Sequence, residues 1–280
     1  MKLSLISLAA LAGIILSGCS KSNSGKGVIA FSTLTSSNPF FTVISDNLAA
    51  EAKANGYDVI ITSGDEDVKK QSDQVQNFIV QKVSAIVLNP CDSKSIGPAI
   101  EAANKAGIPV FTCDIKCVAP NAKVVSHIAT DNFQGGRMAG DAMIEALGEE
   151  GGQVLVLDKR EVESCTLRVA GFKEVIEAHN ANRTSGKIEI VAELPGKGEK
   201  TKGRETTQAA MQSHPNISGI FAINDPSALG AYSALEEAGK ADQVKIIAFD
   251  GQPEGKQAIK DGRIYADPVQ FPDKIGRQTA

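Results

Sequence analysis

The chain has no tryptophan and only three tyrosines and three histidines among 280 residues, so ten phenylalanines carry nearly all its aromatic surface. His127 closes an apolar run, and His179 and His214 sit in polar stretches, so each reads as structural or exposed rather than catalytic. Five cysteines without a CxxC pair, at irregular spacings, give no zinc motif. A glycine-rich phosphate cradle is also missing: "GKGEKTKG" fits neither GxxxxGKS/T nor GxGxxG. The formal net charge is -4 and the signs are mixed along the chain, which leaves no face for a polyanion; the short basic stretch "GKGEKTKGR" reads as a solvated loop. No cofactor, metal or nucleic-acid partner is expected.

What is present begins with "MKLSLISLAALAGIILSGC". One lysine precedes an apolar run ending in small residues, the layout of an export signal. The run is short for a membrane-spanning helix and meets Cys19 and the polar "SKSNSGKG". "LSGC" resembles the lipobox of bacterial lipoproteins, which implies cleavage before Cys19 and a lipid anchor on that residue. An exported protein, periplasmic or at the cell surface and tethered to a bacterial membrane, is the expectation. Export places Cys91, Cys113, Cys117 and Cys165 where disulfides persist. Four cysteines allow three full pairings; a local Cys113–Cys117 bridge and buried free thiols both stay open.

Nine short apolar runs rich in Val and Ile follow: "GVIAFST", "YDVIITS", "SAIVLNP", "IPVFTCD", "VVSHIATD", "QVLVLDK", "IEIVAEL", "SGIFAIND" and "VKIIAFD". Such continuous runs suit parallel strands covered on both faces, and stretches of helical spacing separate most of them. The pattern predicts an α/β doubly wound architecture. It breaks once, where "IKCVAPNAK" links two runs without a helix. A crossing into a second lobe is therefore expected near Thr130–Asp131.

Several runs end alike: "VIAFS" at Ser32, "IPVFTCD" at Asp114, "IFAIND" at Asn224 and Asp225, "IIAFD" at Asp250. Ligands of open parallel sheets sit at the carboxyl ends of the strands. Any one of these residues could simply cap the next helix, and Asp225, before Pro226, is assigned that role. As a set they predict a crevice suited to a ligand covered in hydroxyl groups. In "FSTLTSSNPFF", Phe40 and Phe41 point about 100° apart if Pro39 opens a helix. One ring could anchor in the core while the other lies against the C–H face of a sugar; simple packing of both is the other reading.

The segments "STLTSSNPFF", "VVSHIATDNFQGGRMAGD", "FAINDPSALGA", "FDGQPEG" and "VQFPDKIG", in this order, resemble the ribose/galactose-type (type I) periplasmic sugar-binding proteins, and most of all the ribose-binding ones. The resemblance runs from about Gly27 to the last residue. It implies two Rossmann-like lobes joined by three crossings, residues 27–130 with 271–280 forming one and 131–270 the other. Residues 1–19 would be the signal and 20–26 a flexible tether. The implied ligand-binding residues are Ser32, Asn38, Phe40, Phe41 and Asp114 on the first lobe, Arg168, Asn224 and Asp250 on the second, and Gln270 at the third crossing. Two departures bear on specificity. Ile115 stands where the ribose relatives carry an arginine, and "PGKGEKTKG" replaces a segment bearing a phenylalanine, which speaks against ribose itself. In the relatives "DKIG" begins a helix followed by a final strand, so a fragment is expected.

The implied protein is a monomeric solute-binding lipoprotein that closes on a monosaccharide or polyol and delivers it to the permease of an ABC importer. Asp250→Ala or Arg168→Ala is expected to abolish binding with the fold intact. A sugar-sensing receptor for chemotaxis or signalling shares this binding chemistry. A sugar hydrolase using Asp114 and Asp250 lacks a distinct nucleophile, and a LacI-type regulator would need a helix-turn-helix where the export signal stands.

Overall fold

The computed structural model describes residues 25–280. The export signal, Cys19 and most of the tether lie outside these residues. All nine apolar runs form strands. β1 (Val28–Thr33), β2 (Asp58–Ser63), β3 (Ala85–Leu88), β4 (Val110–Cys113) and β5 (His127–Ile128) make one parallel sheet in the order β2-β1-β3-β4-β5. β6 (Gly152–Asp158), β7 (Ile188–Pro195), β8 (Ile217–Ala222) and β9 (Lys245–Ile247) make a second, in the order β7-β6-β8-β9. Each sheet places its first strand, β1 or β6, inside the order, so the chain winds outward both ways and covers both faces with helices.

The helices between the strands are α1 (Pro39–Ala54), α2 (Val68–Val80), α3 (Gly97–Lys105), α4 (Asn132–Leu147), α5 (Glu163–Asn180), α6 (Lys200–Ser213) and α7 (Asp225–Glu237), and α8 (Pro253–Lys260) follows β9. As expected, none separates β4 from β5, and α4 starts directly after the break, capped by Asp131 accepting from the Gln134 N–H at 3.0 Å. After β9, residues 266–270 run beside the second sheet, bridging Ile247 to Ala266 and Asp250 to Val269. The last helix, α9 (Pro272–Thr279), packs against α1, where Gly276 lies so close that a Cβ would sit 2.4 Å from the Ile44 carbonyl. Among the described residues the chain thus passes between the sheets twice, and Gln270 stands on the second passage, not a third.

The cysteine alternatives resolve in favour of thiols: Cys91, Cys113, Cys117 and Cys165 are all free and buried. Burial pushes the Cys165 thiol up to about 11 and that of Cys91 to about 12, so both stay protonated and behave as small apolar groups.

One close helix contact bears on the site. The "GGRMAG" of α4 is a flat face on which α5 lies: a Cβ on Gly136 would fall 2.0 Å from the Arg168 carbonyl oxygen, which belongs to backbone and cannot swing aside. Gly136→Ala should therefore force α4 and α5 apart and cost about 1–3 kcal/mol, as overpacking does. A lowered urea midpoint with unchanged m value would show this; a midpoint equal to that of the native chain would refute the close contact.

Candidate functional site

The carboxyl ends of both sheets face one cavity of about 630 Å³, within the range of small-molecule sites. Asn38, Phe40, Phe41 and Asp114 border it from the first sheet, Arg168, Asn224 and Asp250 from the second, and Gln270 from the return segment. Residues up to 236 positions apart are brought together here, counting from Leu34 to Gln270.

Ser32 is the exception. β1 continues through Thr33, so Ser32 still lies within the sheet and its side chain is fully buried beneath α2. Its Oγ donates to Gln74 Oε1 at 2.7 Å and accepts from Gln71 Nε2 at 3.2 Å. Leu34, Thr35 and Ser37, further along, border the cavity instead.

Helix α1 begins at the cavity rim. Asn38 caps it, its Oδ1 accepting from the Phe40 N–H at 3.0 Å, and Pro39 supplies the preset first-turn geometry. Both rings are buried, 3% and 6% exposed, and both border the cavity, meeting edge to face at 5.4 Å. The division of labour expected from their 100° separation is thus softened, because the helix starts where core and cavity meet.

Asn224, not Asp225, caps α7: its Oδ1 accepts from the Ser227 N–H at 3.1 Å, and its Nδ2 donates to the Gly198 carbonyl at 3.0 Å. Asp225 is the first helical residue, buried, and itself on the cavity wall. The capping role assigned to it from the Pro226 spacing falls one residue earlier, because the helix takes in Asp225 as well as Pro226.

The centre of the wall is Arg168. Its Nε donates to Asn132 Oδ1 at 2.8 Å, and its Nη1 to the Ile223 carbonyl at 2.6 Å and Asp250 Oδ1 at 3.2 Å, while the guanidinium lies over the Phe249 ring at 4.0 Å. Asp250 accepts further from Gln270 Nε2 at 2.7 Å and Gln252 Nε2 at 3.3 Å. Its φ of +113°, like the +61° of Asp114, is a backbone setting an L residue rarely takes, and strain of this kind gathers at functional positions. Asp114 is buried with Oδ1 unpartnered, as is Gln270 Oε1. Burial drives the Asp114 carboxyl up to about 7, against the pull of Arg168 and with the push of Asp250. Asp250 is raised by burial too, with Arg168 and the amide donors opposing.

The sequence gives no sign of a contact that spans the cavity. Lys159, directly after β6, reaches Glu66, in the turn after β2, at 2.7 Å, and both border the cavity. The loops after β3 and β6 also meet: the Glu163 N–H donates to Ser93 Oγ, and the Ser93 N–H to the Glu161 carbonyl, each at 2.9 Å. Lys159 and Glu66 obey the strand-end rule, but a pair 93 residues apart has no local signature.

Residues 29–280 match the periplasmic binding protein domain. The chain belongs to that family. The ribose import binding protein of Salmonella typhimurium is 38% identical over 252 residues, 90% of this chain and 81% of the relative. An ABC transporter periplasmic solute binding protein of Actinobacillus succinogenes with bound D-allose superposes with a TM-score of 0.80 at 30% identity, covering 90% of this chain and 88% of its own. The Caulobacter myo-inositol binding protein bound to myo-inositol superposes at 0.82 with 27% identity, over 90% and 84% of the two chains. The two parallel sheets are the fold of these periplasmic binding proteins.

Proposed function

We propose that this protein is the solute-binding component of an ABC-type sugar importer and takes a monosaccharide or polyol into the cavity between its two sheets. The observation that carries the reading is a pair of buried oxygens without donors, Asp114 Oδ1 and Gln270 Oε1, bordering a cavity that two phenylalanine rings also line. A buried acceptor left unpaired is costly, and sugar hydroxyls are donors of the right kind. The rings offer apolar faces for the C–H side of the same ligand. Asn38 on one side and Arg168 and Asp250 on the other would bind it together, so closing of the two lobes, 27–130 with 271–280 against 131–270, is favoured only by contacts made when shut. Ile115, buried beside Asp114 on the cavity wall, supplies no hydroxyl partner, and Gly198 leaves its part of the wall without a side chain. We place the protein outside the cytoplasmic membrane, held as a monomer by lipid on Cys19, and assign it binding without turnover.

Thermal unfolding against a panel that includes ribose, allose and myo-inositol tests this. One panel member at 100 times its Kd should add about 2.7 kcal/mol to native stability, a shift of several degrees in Tm. A flat response to every sugar and polyol would overturn the reading.

A further inference from the structure

An acidic contact begins at the cavity wall, with Asp225, and reaches back to the return segment. Asp225, opening α7, and Asp267, on the return segment, meet carboxyl to carboxyl. Asp225 Oδ2 accepts from the Gln252 N–H at 2.7 Å and Asp267 Oδ1 from the Gly251 N–H at 3.0 Å, two consecutive amides of the turn that follows Asp250. The remaining oxygens, Asp225 Oδ1 and Asp267 Oδ2, are buried and receive no donor from any other group. Ionised carboxylates only accept hydrogen bonds, so a contact between two of them requires a proton. The other charges felt at the contact are Asp250, in the turn itself, and Lys256 on α8. On its remaining flank α8 presents Gly255, whose missing side chain leaves room for the Asp225 carboxyl: a Cβ there would lie 2.4 Å from Asp225 Oδ1.

We propose that Asp225 and Asp267 share a single proton and act as a positioning pair, stapling the return segment to the second sheet so that Asp250 and Gln270 are held in register for the ligand. The segment is otherwise fixed by three backbone bonds: Ala248 N–H to the Ala266 carbonyl, Asp250 N–H to the Pro268 carbonyl and Gln270 N–H to the Asp250 carbonyl, at 2.9, 3.0 and 2.9 Å. Loss of the shared proton would set two carboxylates against each other beside Asp250 and loosen the end of the segment that carries Gln270.

Burial, followed by the charge of Asp250, raises Asp225 above its ordinary 3.8, and burial raises Asp267 as well. A folded-state carboxyl raised in this way contributes stability below the unfolded value and loses it as pH rises toward the folded one. The test is calorimetric melting of the full chain without sugar from about pH 5 to about pH 9. Asp267→Asn supplies its own donor to Asp225 Oδ1 while keeping the acceptor for Gly251. Relative to this variant, Tm of the native chain should fall by at least about 3 °C over that range. Asp225→Asn, with donor and acceptor reversed, should flatten the profile in the same way. The double variant turns two NH₂ groups on each other and should melt below either single one. Profiles parallel to the native one in both single variants, or a double variant as stable as the singles, would overturn the proposal.

Discussion

Replacing Arg168 by alanine should weaken sugar binding by at least about 100-fold, the order found when one member of a buried, hydrogen-bonded charge pair is removed. The same substitution is expected to cost stability as well. Arg168 joins Asn132 on α4, the Ile223 carbonyl after β8 and Asp250 after β9, three points on the second sheet and its cover. Without the guanidinium, Asp250 is a buried carboxylate held only by the amides of Gln270 and Gln252. Breaking a buried pair from one side costs about 3–5 kcal/mol. Arg168→Ala is therefore expected to lose stability as well as affinity. Titration calorimetry well below its lowered Tm separates the two, and undiminished affinity there would remove Arg168 from the site.

The second large effect concerns Asp114 and pH. Without ligand its carboxyl titrates near 7 because burial disfavours the charge. A sugar hydroxyl donating to Oδ1 favours the ionised form, so binding should lower this value and release a proton near neutral pH. Affinity is then full above about pH 7 and falls as pH drops below it. The ligand-free fold follows the other sign: with the folded value above the ordinary 3.8, its stability declines as pH rises between the two. Asp114→Asn retains the shape but loses a charged acceptor, for an expected loss of about 1.5–3 kcal/mol, roughly 10- to 100-fold. Calorimetry in buffers of different ionisation heat reads the proton directly. Binding heats independent of buffer would contradict this assignment.

Much of the site could be read from strand ends, because the chemistry there is local. "IPVFTCD" and "IIAFD" are apolar until the sheet ends, and the first acidic residue beyond each falls at the cavity. The same logic slipped at Ser32, where one further strand residue sends the side chain to Gln71 and Gln74 on α2. It slipped again at Asp225: one residue's difference in where α7 begins exchanged a helix cap for a buried acid. Strand and helix ends are set by hydrogen bonds to neighbouring elements as well as by local preference, so errors of one residue are natural. At a cavity wall one residue decides which way a side chain points.

The amino-acid order by itself determined the alternation of strand and helix, the division into two sheets near Thr130–Asp131, and most of the polar groups gathered between them. These follow from apolar periodicity and from the rule that parallel strands offer their carboxyl ends. Only the tertiary structure decided that the four thiols stay free, that Lys159 meets Glu66 across the cavity and that Asp225 meets Asp267. Each of these depends on distance and burial between residues far apart in the chain, and both the strength of a charge pair and the holding of a proton are set by that surrounding medium rather than by sequence neighbours.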